Sequence, residues 1–147
     1  RHSFSSDGNQ SELLIESSMA SIFSKIVAGH IPCHRIAEND EFLAFLDINP
    51  LAEGHTLVIP KAEVDYFFDL DAETLSRINL FARDVARKIE SAIPCKRVGI
   101  AVIGLEVPHA HVHLVPLQNV ADINFERPKL SLTKEELAIT AERIVNA

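Results

Sequence analysis

The chain has 147 residues, of which 47% are hydrophobic and 24% are charged, and its formal net charge is −7. This length and composition predict one globular domain with a core large enough to need no disulfides, and they exclude a disordered or fibrous protein. The acidic charge argues against a nucleic-acid polymer as partner, because Lys and Arg hold such polymers by their phosphates. A small nucleotide stays compatible, since backbone N–H groups and histidines can meet its few phosphate charges.

No apolar run approaches the roughly 18 residues that a membrane span needs, and no segment resembles a signal peptide. We therefore predict a cytoplasmic protein with no membrane partner. In that compartment Cys33 and Cys95 are interpreted as small buried residues and not as a disulfide. Residues 1–18 are rich in serine and lack a hydrophobic period, so we predict a leader or appended segment without fold. The domain is predicted at residues 19–147, with Met19 as its natural start.

After Met19 the hydrophobic pattern switches between the period of a helix and that of a strand. Apolar residues at intervals of three and four indicate amphipathic helices, and short apolar runs between turn residues indicate strands. Thr133 and Glu136 have the spacing of a capping box at the start of the last helix. The predicted elements, in chain order, are helix Ser21–Gly29, strands His34–Ala37, Glu41–Ile48 and Gly54–Pro60, helix Asp71–Ile93, strand Arg97–Ile103, a strand through histidines 109–113, and helix Thr133–Val145.

These elements predict an α+β fold in which a five-stranded antiparallel meander packs with a short N-terminal helix and a long central helix. No internal repeat or linker divides the chain. We therefore predict a single domain with its core at residues 20–117 and a C-terminal extension, including the last helix, at residues 118–147.

Three of the seven histidines, His109, His111 and His113, lie two residues apart between small or apolar residues. In a strand the three imidazoles would share one face, and the residues between them would pack on the other. Two other interpretations stay open: a strand whose histidines only face water, and a two-histidine metal site.

The chain resembles the histidine triad family, whose signature is His-x-His-x-His followed by two apolar residues; His109–Val115 matches it throughout. Ser21–Val27 resembles the family's N-terminal helix, and Phe45–Pro50 with Gly54–Lys61 resembles its nucleotide-binding strand pair. The resemblance covers about residues 20–117. It implies five antiparallel strands, two helices and a homodimer formed through the long helix and the sheet.

The resemblance implies a nucleotide hydrolase or transferase that acts at the α-phosphate of a purine nucleotide conjugate, a phosphoramidate or a dinucleoside polyphosphate, and releases a nucleoside monophosphate. His111 matches the family's nucleophile, which forms a nucleotidyl-histidine intermediate; imidazole suits this role because it is substantially unprotonated at neutral pH. His113 would stabilise charge on a phosphate oxygen. His109 and His55 would form a buried hydrogen-bond chain that orients His111.

The nucleotide-binding residues are also carried over from the resemblance. Asp47 would accept hydrogen bonds from the ribose hydroxyls. Glu106 stands where many relatives have a Ser or Thr hydroxyl, so the leaving-group side is predicted to be remodelled. An ionised Glu106 would repel phosphate; it could instead receive an amine leaving group, or donate a proton if its pKa is raised. The apolar residues that match the base pocket are Phe23, Ile26, Phe45 and Ile48.

We predict no cofactor and no metal. Some bacterial relatives carry a zinc-binding Cys-x-x-Cys in the first helix, but Ser21 and Ser24 stand at those positions, and hydroxyls are poor zinc ligands beside thiolates. Two alternatives remain: a nucleotide-binding or regulatory module that turns over slowly or not at all, and a zinc hydrolase that uses His109 with His111 or His113.

Overall fold

The computed structural model describes residues 20–147, so the prediction made for residues 1–18 lies outside the described residues. Two short 3-10 turns lie at Phe67–Asp69 and Val120–Ile123. Within the described residues, each predicted helix and strand is present, with ends that shift by a few residues. The elements are α1 (Ile22–Val27), β1 (Arg35–Glu38), β2 (Phe42–Leu46), β3 (Thr56–Pro60), α2 (Ala72–Ala92), β4 (Arg97–Ala101), β5 (Val112–Leu117) and α3 (Lys134–Val145).

The five strands form one antiparallel sheet in the order β1-β2-β3-β5-β4. The predicted α+β fold and antiparallel sheet are therefore confirmed, but a strict meander holds only for β1 to β3. The link from β3 to β4 contains the 21-residue helix α2 instead of a tight hairpin turn. This long crossover lets β4 return at the sheet edge, and β5 then pairs between β4 and β3.

Successive residues of the central strands pack on opposite faces of the sheet. In β2, Phe42, Ala44 and Leu46 contact the core beneath α2 and α3, whereas Leu43 and Phe45 contact a second, smaller core beneath α1. We call these the closed face and the α1 face. The helix residues buried in the closed face are Ile78, Ala82, Val85, Ile89, Leu137, Ala141 and Ile144.

The helix starts follow from their capping residues. Asp71 accepts the N–H of Thr74 at 2.7 Å and caps α2. Thr133 and Glu136 form the predicted capping box of α3, which is confirmed. Ser21 caps α1 by accepting a backbone N–H from the first turn, so the helix itself begins one residue later than predicted.

The turn before β3 requires a glycine. Gly54 has a φ of +93°, and a Cβ there would lie 3.0 Å from the side chain of Ile93. This left-handed residue cannot continue a strand, so β3 begins at Thr56 and not at Gly54 as predicted. The turn places His55 directly before the strand, where its ring is buried.

Cys33 and Cys95 are free thiols, and both are half-buried. Burial raises the pKa of each thiol. None of the helices in residues 20–147 combines the length and the apolar character that a membrane span requires.

Candidate functional site

A cleft of about 400 Å³ opens on the α1 face. It lies between α1, the loop that follows β2, and the loop that precedes the histidine segment. All the predicted site residues except His109 line it: Phe23, Ile26, Phe45, Asp47, Ile48, His55, Glu106, His111 and His113. The fold thus brings together side chains from segments that lie far apart in the sequence.

The histidine segment is a strand only from Val112 onward. The residues between the histidines, Ala110 and Val112, pack into the closed face, as predicted. Before them, the N–H of His109 donates to the carbonyl of Val107 at 2.8 Å and closes a tight turn. Because of this turn, only His113 lies within the strand, and the three histidines have different surroundings.

His109 is fully buried beside α1, but its ring nitrogens bond to Ser21 and to the Pro60 carbonyl and not to His55, so its predicted hydrogen-bond chain with His55 is wrong. Its Nε2 lies 2.7 Å from the carbonyl oxygen of Pro60, which can only accept, so Nε2 carries the hydrogen. Its Nδ1 is then an acceptor and receives the Ser21 hydroxyl at 2.8 Å. Burial lowers the pKa of His109, in agreement with a neutral ring.

Glu63 extends this network to the surface. Its carboxylate accepts the Ser24 hydroxyl at 2.6 Å and the backbone N–H of Ser21 at 2.8 Å. These hydrogen bonds lower the pKa of Glu63. Sequence reasoning missed this residue because no motif surrounds it, and only the fold brings the segment after β3 to the start of α1. The network fixes the turn at His109 against α1.

His55 pairs with His113 instead of His109. The backbone N–H of Leu51 donates to Nδ1 of His55 at 2.9 Å, so the hydrogen of a neutral His55 ring lies on Nε2. That nitrogen is 3.0 Å from Nδ1 of His113, which therefore accepts and leaves the His113 hydrogen on Nε2. A chain of donors thus runs from a peptide group through two imidazoles and ends at an N–H of His113.

Both rings of this pair are held neutral near pH 7. Burial lowers the pKa of His55 to about 4. Burial, together with the proximity of His55, lowers the pKa of His113 to about 3. The pair therefore offers a hydrogen-bond donor without a positive charge.

His111 is held by the turn that precedes it. Its Nδ1 lies 2.7 Å from the carbonyl oxygen of His109, so Nδ1 is a donor. A neutral His111 then carries a lone pair on Nε2. The rings of Phe23 and His113 stand edge-on to it, with centroids 5.0 and 4.9 Å away. One nitrogen fixed by a backbone acceptor and the other unprotonated is the arrangement that a nucleophilic imidazole requires.

Asp47 directly follows β2, at the start of the loop that leads to β3, with 19% of its side chain exposed. It accepts the N–H of Asn49 at 2.8 Å, and its second oxygen is 3.6 Å from Nε2 of His55. Since His55 is neutral near pH 7, this contact is not an ion pair there. Burial raises the pKa of Asp47. The carboxylate has acceptor capacity left for a ligand in the cleft.

The end of the cleft beneath α1 is apolar. Phe23 and Phe45 are buried and meet edge to face, with ring centroids 5.6 Å apart. Ile26 packs against them, and Ile48, 62% exposed, stands at the mouth. Such a slot suits a flat apolar group with polar edges.

The other end of the cleft contains residues from the C-terminal extension. Phe125 and Lys129 line it together with the exposed Glu106. The Phe125 ring stands edge-on to the His113 ring, with centroids 4.6 Å apart. Both residues lie beyond the segment of the chain that carries the motifs, so the sequence held no signal for them.

Within residues 20–147, ligand atoms of Asp47, His55 and His113 lie within 4.8 Å of one another, close enough to share a metal ion. The Leu51 N–H, however, already occupies Nδ1 of His55. A metal on Nε2 would require lone pairs on both ring nitrogens, which only an imidazolate provides. His109 is likewise committed through both nitrogens. Neither the cluster nor the predicted alternative through His109 fits a metal ion.

The fold and the cleft define a histidine triad site, and the comparisons with known proteins agree. A model of the HIT domain matches residues 28–120. The adenosine 5'-monophosphoramidase of Schizosaccharomyces pombe is 33% identical over 132 residues, which cover 86% of this chain and 96% of that protein. The chain belongs to the histidine triad (HIT) family.

Solved structures agree with this assignment. A HIT-like protein of Bartonella henselae superposes with a TM-score of 0.74 at 29% identity and covers 86% of this chain and 95% of its own. A zinc-bound histidine triad protein of Mycobacterium smegmatis has a TM-score of 0.71 at 30% identity, with coverages of 88% and 96%.

The start of α1 does not fit a zinc ion of the Cys-x-x-Cys type. Ser21 and Ser24 stand at the two positions, and their hydroxyls already bond to His109 and Glu63. Hydroxyls replace thiolates poorly as zinc ligands, and the lone pair of His109 Nδ1 is occupied. At this place hydrogen bonds, and not a metal ion, join the start of α1 to His109 and Glu63.

Proposed function

We propose that the protein is a nucleotidyl hydrolase or transferase. His111 attacks the α-phosphate of a purine nucleotide conjugate, forms a nucleotidyl-histidine intermediate and releases a nucleoside monophosphate. The observation that carries the proposal is the hydrogen bond from His111 Nδ1 to the carbonyl of His109, at 2.7 Å, which leaves Nε2 unprotonated in the neutral ring. Membership of the HIT family and the phosphoramidase of S. pombe support it.

The reaction has two displacements at phosphorus. In the first, Nε2 of His111 bonds to the α-phosphorus while the bond to the leaving group breaks, and the leaving group takes up a proton. In the second, water attacks the phosphorus, the P–N bond breaks, and the water loses a proton. The Nε2–H of His113 donates to a non-bridging oxygen in both steps and stabilises the charge that develops there.

The rest of the cleft positions the nucleotide. Asp47 accepts the ribose hydroxyls, and the apolar slot of Phe23, Ile26, Phe45 and Ile48 takes the base. Glu106 favours a phosphoramidate over a dinucleoside polyphosphate, because a carboxylate attracts an amine and repels a polyphosphate leaving group. Homodimerisation and a cytoplasmic location stay predictions.

A rapid-quench experiment with α-labelled adenosine phosphoramidate tests the proposal. The wild-type protein is expected to carry label on His111 during turnover. His111→Ala is expected to lose the label and to reduce turnover by about 10⁴-fold or more, because the nucleophile is gone. His30→Ala removes an exposed imidazole outside the cleft and serves as the control.

Unchanged hydrolysis by His111→Ala would show that the proposed mechanism is wrong. Nucleotide binding without label in the wild-type protein would favour the slow binding module, with Glu106 as the reason for its low turnover. A parallel reaction with a dinucleoside polyphosphate ranks the two leaving groups.

A further inference from the structure

Part of the C-terminal extension returns to the cleft and is firmly held there. The N–H of Leu130 donates to the carbonyl of Pro50 at 2.8 Å, in the loop that also carries Asp47. The Arg127 guanidinium donates to the carbonyl of Ala121 at 2.7 Å and to a carboxylate of the preceding 3-10 turn. Residues 121–130 are therefore held in place beside the site. They lie beyond the matched HIT domain, which ends at residue 120.

Phe125 places this segment against the hydrogen-bonded pair of His55 and His113. Its ring centroid is 4.6 Å from that of His113 and 6.2 Å from that of His55, edge-on in both cases. This contact covers the pair with hydrocarbon. It also brings Lys129, four residues further on in sequence, to the rim of the cleft, where its ammonium lies 5.9 Å from the Phe125 ring centroid.

Charge in the cleft is unbalanced toward the negative. Among the described residues that line it, Lys129 is the one Lys or Arg, and it shares the cleft with the carboxyl groups of Asp47 and Glu106. The positive charge of Lys129 disfavours protonation of the His55 and His113 rings, and it partly offsets the burial that raises the pKa of Asp47. A nucleotide adds the negative charge of its phosphate to this cleft, while the imidazoles of His55 and His113 are neutral near pH 7. A cation in the cleft offsets part of this negative charge and so favours the bound anion.

We propose that Lys129 is a specificity-determining residue that recognises the phosphate charge of the substrate and selects nucleotides over uncharged nucleosides. Its ammonium donates to the carbonyl of Phe125 at 2.6 Å and lies 3.5 Å from that of Arg127. An ammonium has three N–H donors, so at least one is left for a phosphate oxygen. This inference rests on the proposed function and adds the residue that recognises the charge.

Calorimetric titration of AMP and of adenosine tests the inference without relying on turnover. Lys129→Gln removes the charge and keeps an N–H donor for the Phe125 carbonyl. We expect this variant to bind AMP roughly tenfold to a hundredfold more weakly and adenosine about as well as the wild type. Lys129→Arg restores most of the AMP affinity. Lys96→Gln, an exposed lysine outside the cleft, makes the same change in net charge and leaves both affinities unchanged.

Two results would overturn this inference and leave the proposed function standing. One is an AMP affinity that is the same in Lys129→Gln and in the wild type, and the other is an equal loss of affinity for AMP and for adenosine in the variant. The second would show that Lys129 acts through packing and not through charge. If the wild-type protein binds neither ligand, the proposed function falls and the inference falls with it. The wild-type titration thus separates the two failures.

Discussion

The closed face and the α1 face are made by the same strands but are covered very differently. On the closed face, α2 and α3 bury Ile78, Ile89 and Ile144 completely. On the other face, a helix of six residues covers part of the sheet, and the cleft beside it retains slight access to His111 and His113. Alternation along a strand therefore separates stability from chemistry, since neighbours in sequence serve opposite faces.

Acidification is expected to have the largest effect on stability and to act through the α1 face. Unfolded imidazoles take up protons near pH 6.5, whereas burial holds the pKa of His55 at about 4 and that of His113 at about 3. The unfolded state then binds more protons as the pH falls through this window. The free energy of unfolding, measured by urea titration, should fall by about 1.4 kcal/mol per pH unit for each ring.

Two other groups modify this slope. His109, whose pKa is also lowered by burial, steepens it, and Asp47, whose pKa is raised, opposes it because the folded state takes up that proton first. His55→Gln should flatten the profile, and His30→Gln, at an exposed histidine outside the cleft, is the control. A wild-type stability that is constant from pH 6.5 to pH 4.5 would contradict the neutral, buried pair.

A cavity in the closed face is expected to have the next largest effect. Ile89→Ala removes a fully buried side chain of α2 and should lower the free energy of unfolding by about 2–5 kcal/mol. Because the residue packs on the face opposite the cleft, AMP affinity should persist wherever the variant is folded. Denaturant titration and calorimetry measure the two quantities. Loss of AMP binding by the folded variant would contradict the separation of the faces.

The smallest effect is expected at the junction between α1 and His109. Ser21→Ala removes the helix cap and the hydroxyl that donates to His109, and should cost about 1 kcal/mol of stability. Ser21→Thr keeps the hydroxyl and should recover most of it, and Ser91→Ala, at an exposed serine of α2, is the control. Equal melting temperatures for Ser21→Ala and the wild type would show that this network does not support the fold.

Local patterns predicted what depends on neighbours in sequence. The cap at Thr133, the apolar stripe of α2, and the packing of Ala110 and Val112 follow from residue spacing alone. The residues of the cleft came from motifs, which mark positions that the fold brings together.

The rest depends on geometry that spacing does not contain. The two-residue period placed His109 in a strand, but the hydrogen bond from its N–H to the carbonyl of Val107 forms a turn instead. His55 therefore pairs with His113 and not with His109 as predicted. Glu63 contacts Ser24 across the fold, and Lys129 lines the cleft from beyond the motifs; neither stands in a recognisable pattern. The place of β5 in the sheet follows from the α2 crossover.

The Leu51 N–H that bonds to His55 has a consequence for how this site tolerates mutation. Every amino acid except proline supplies that N–H, so exchanges of the side chain at this position keep the donor. The path of the main chain therefore determines which nitrogen carries the hydrogen in the His55 ring and in the His113 ring. The hydrogen bond therefore depends on the shape of the loop and not on the side chain at position 51. Gly54 allows that shape through its positive φ, so we expect substitutions at Gly54 to disturb the hydrogen bond more than substitutions at Leu51.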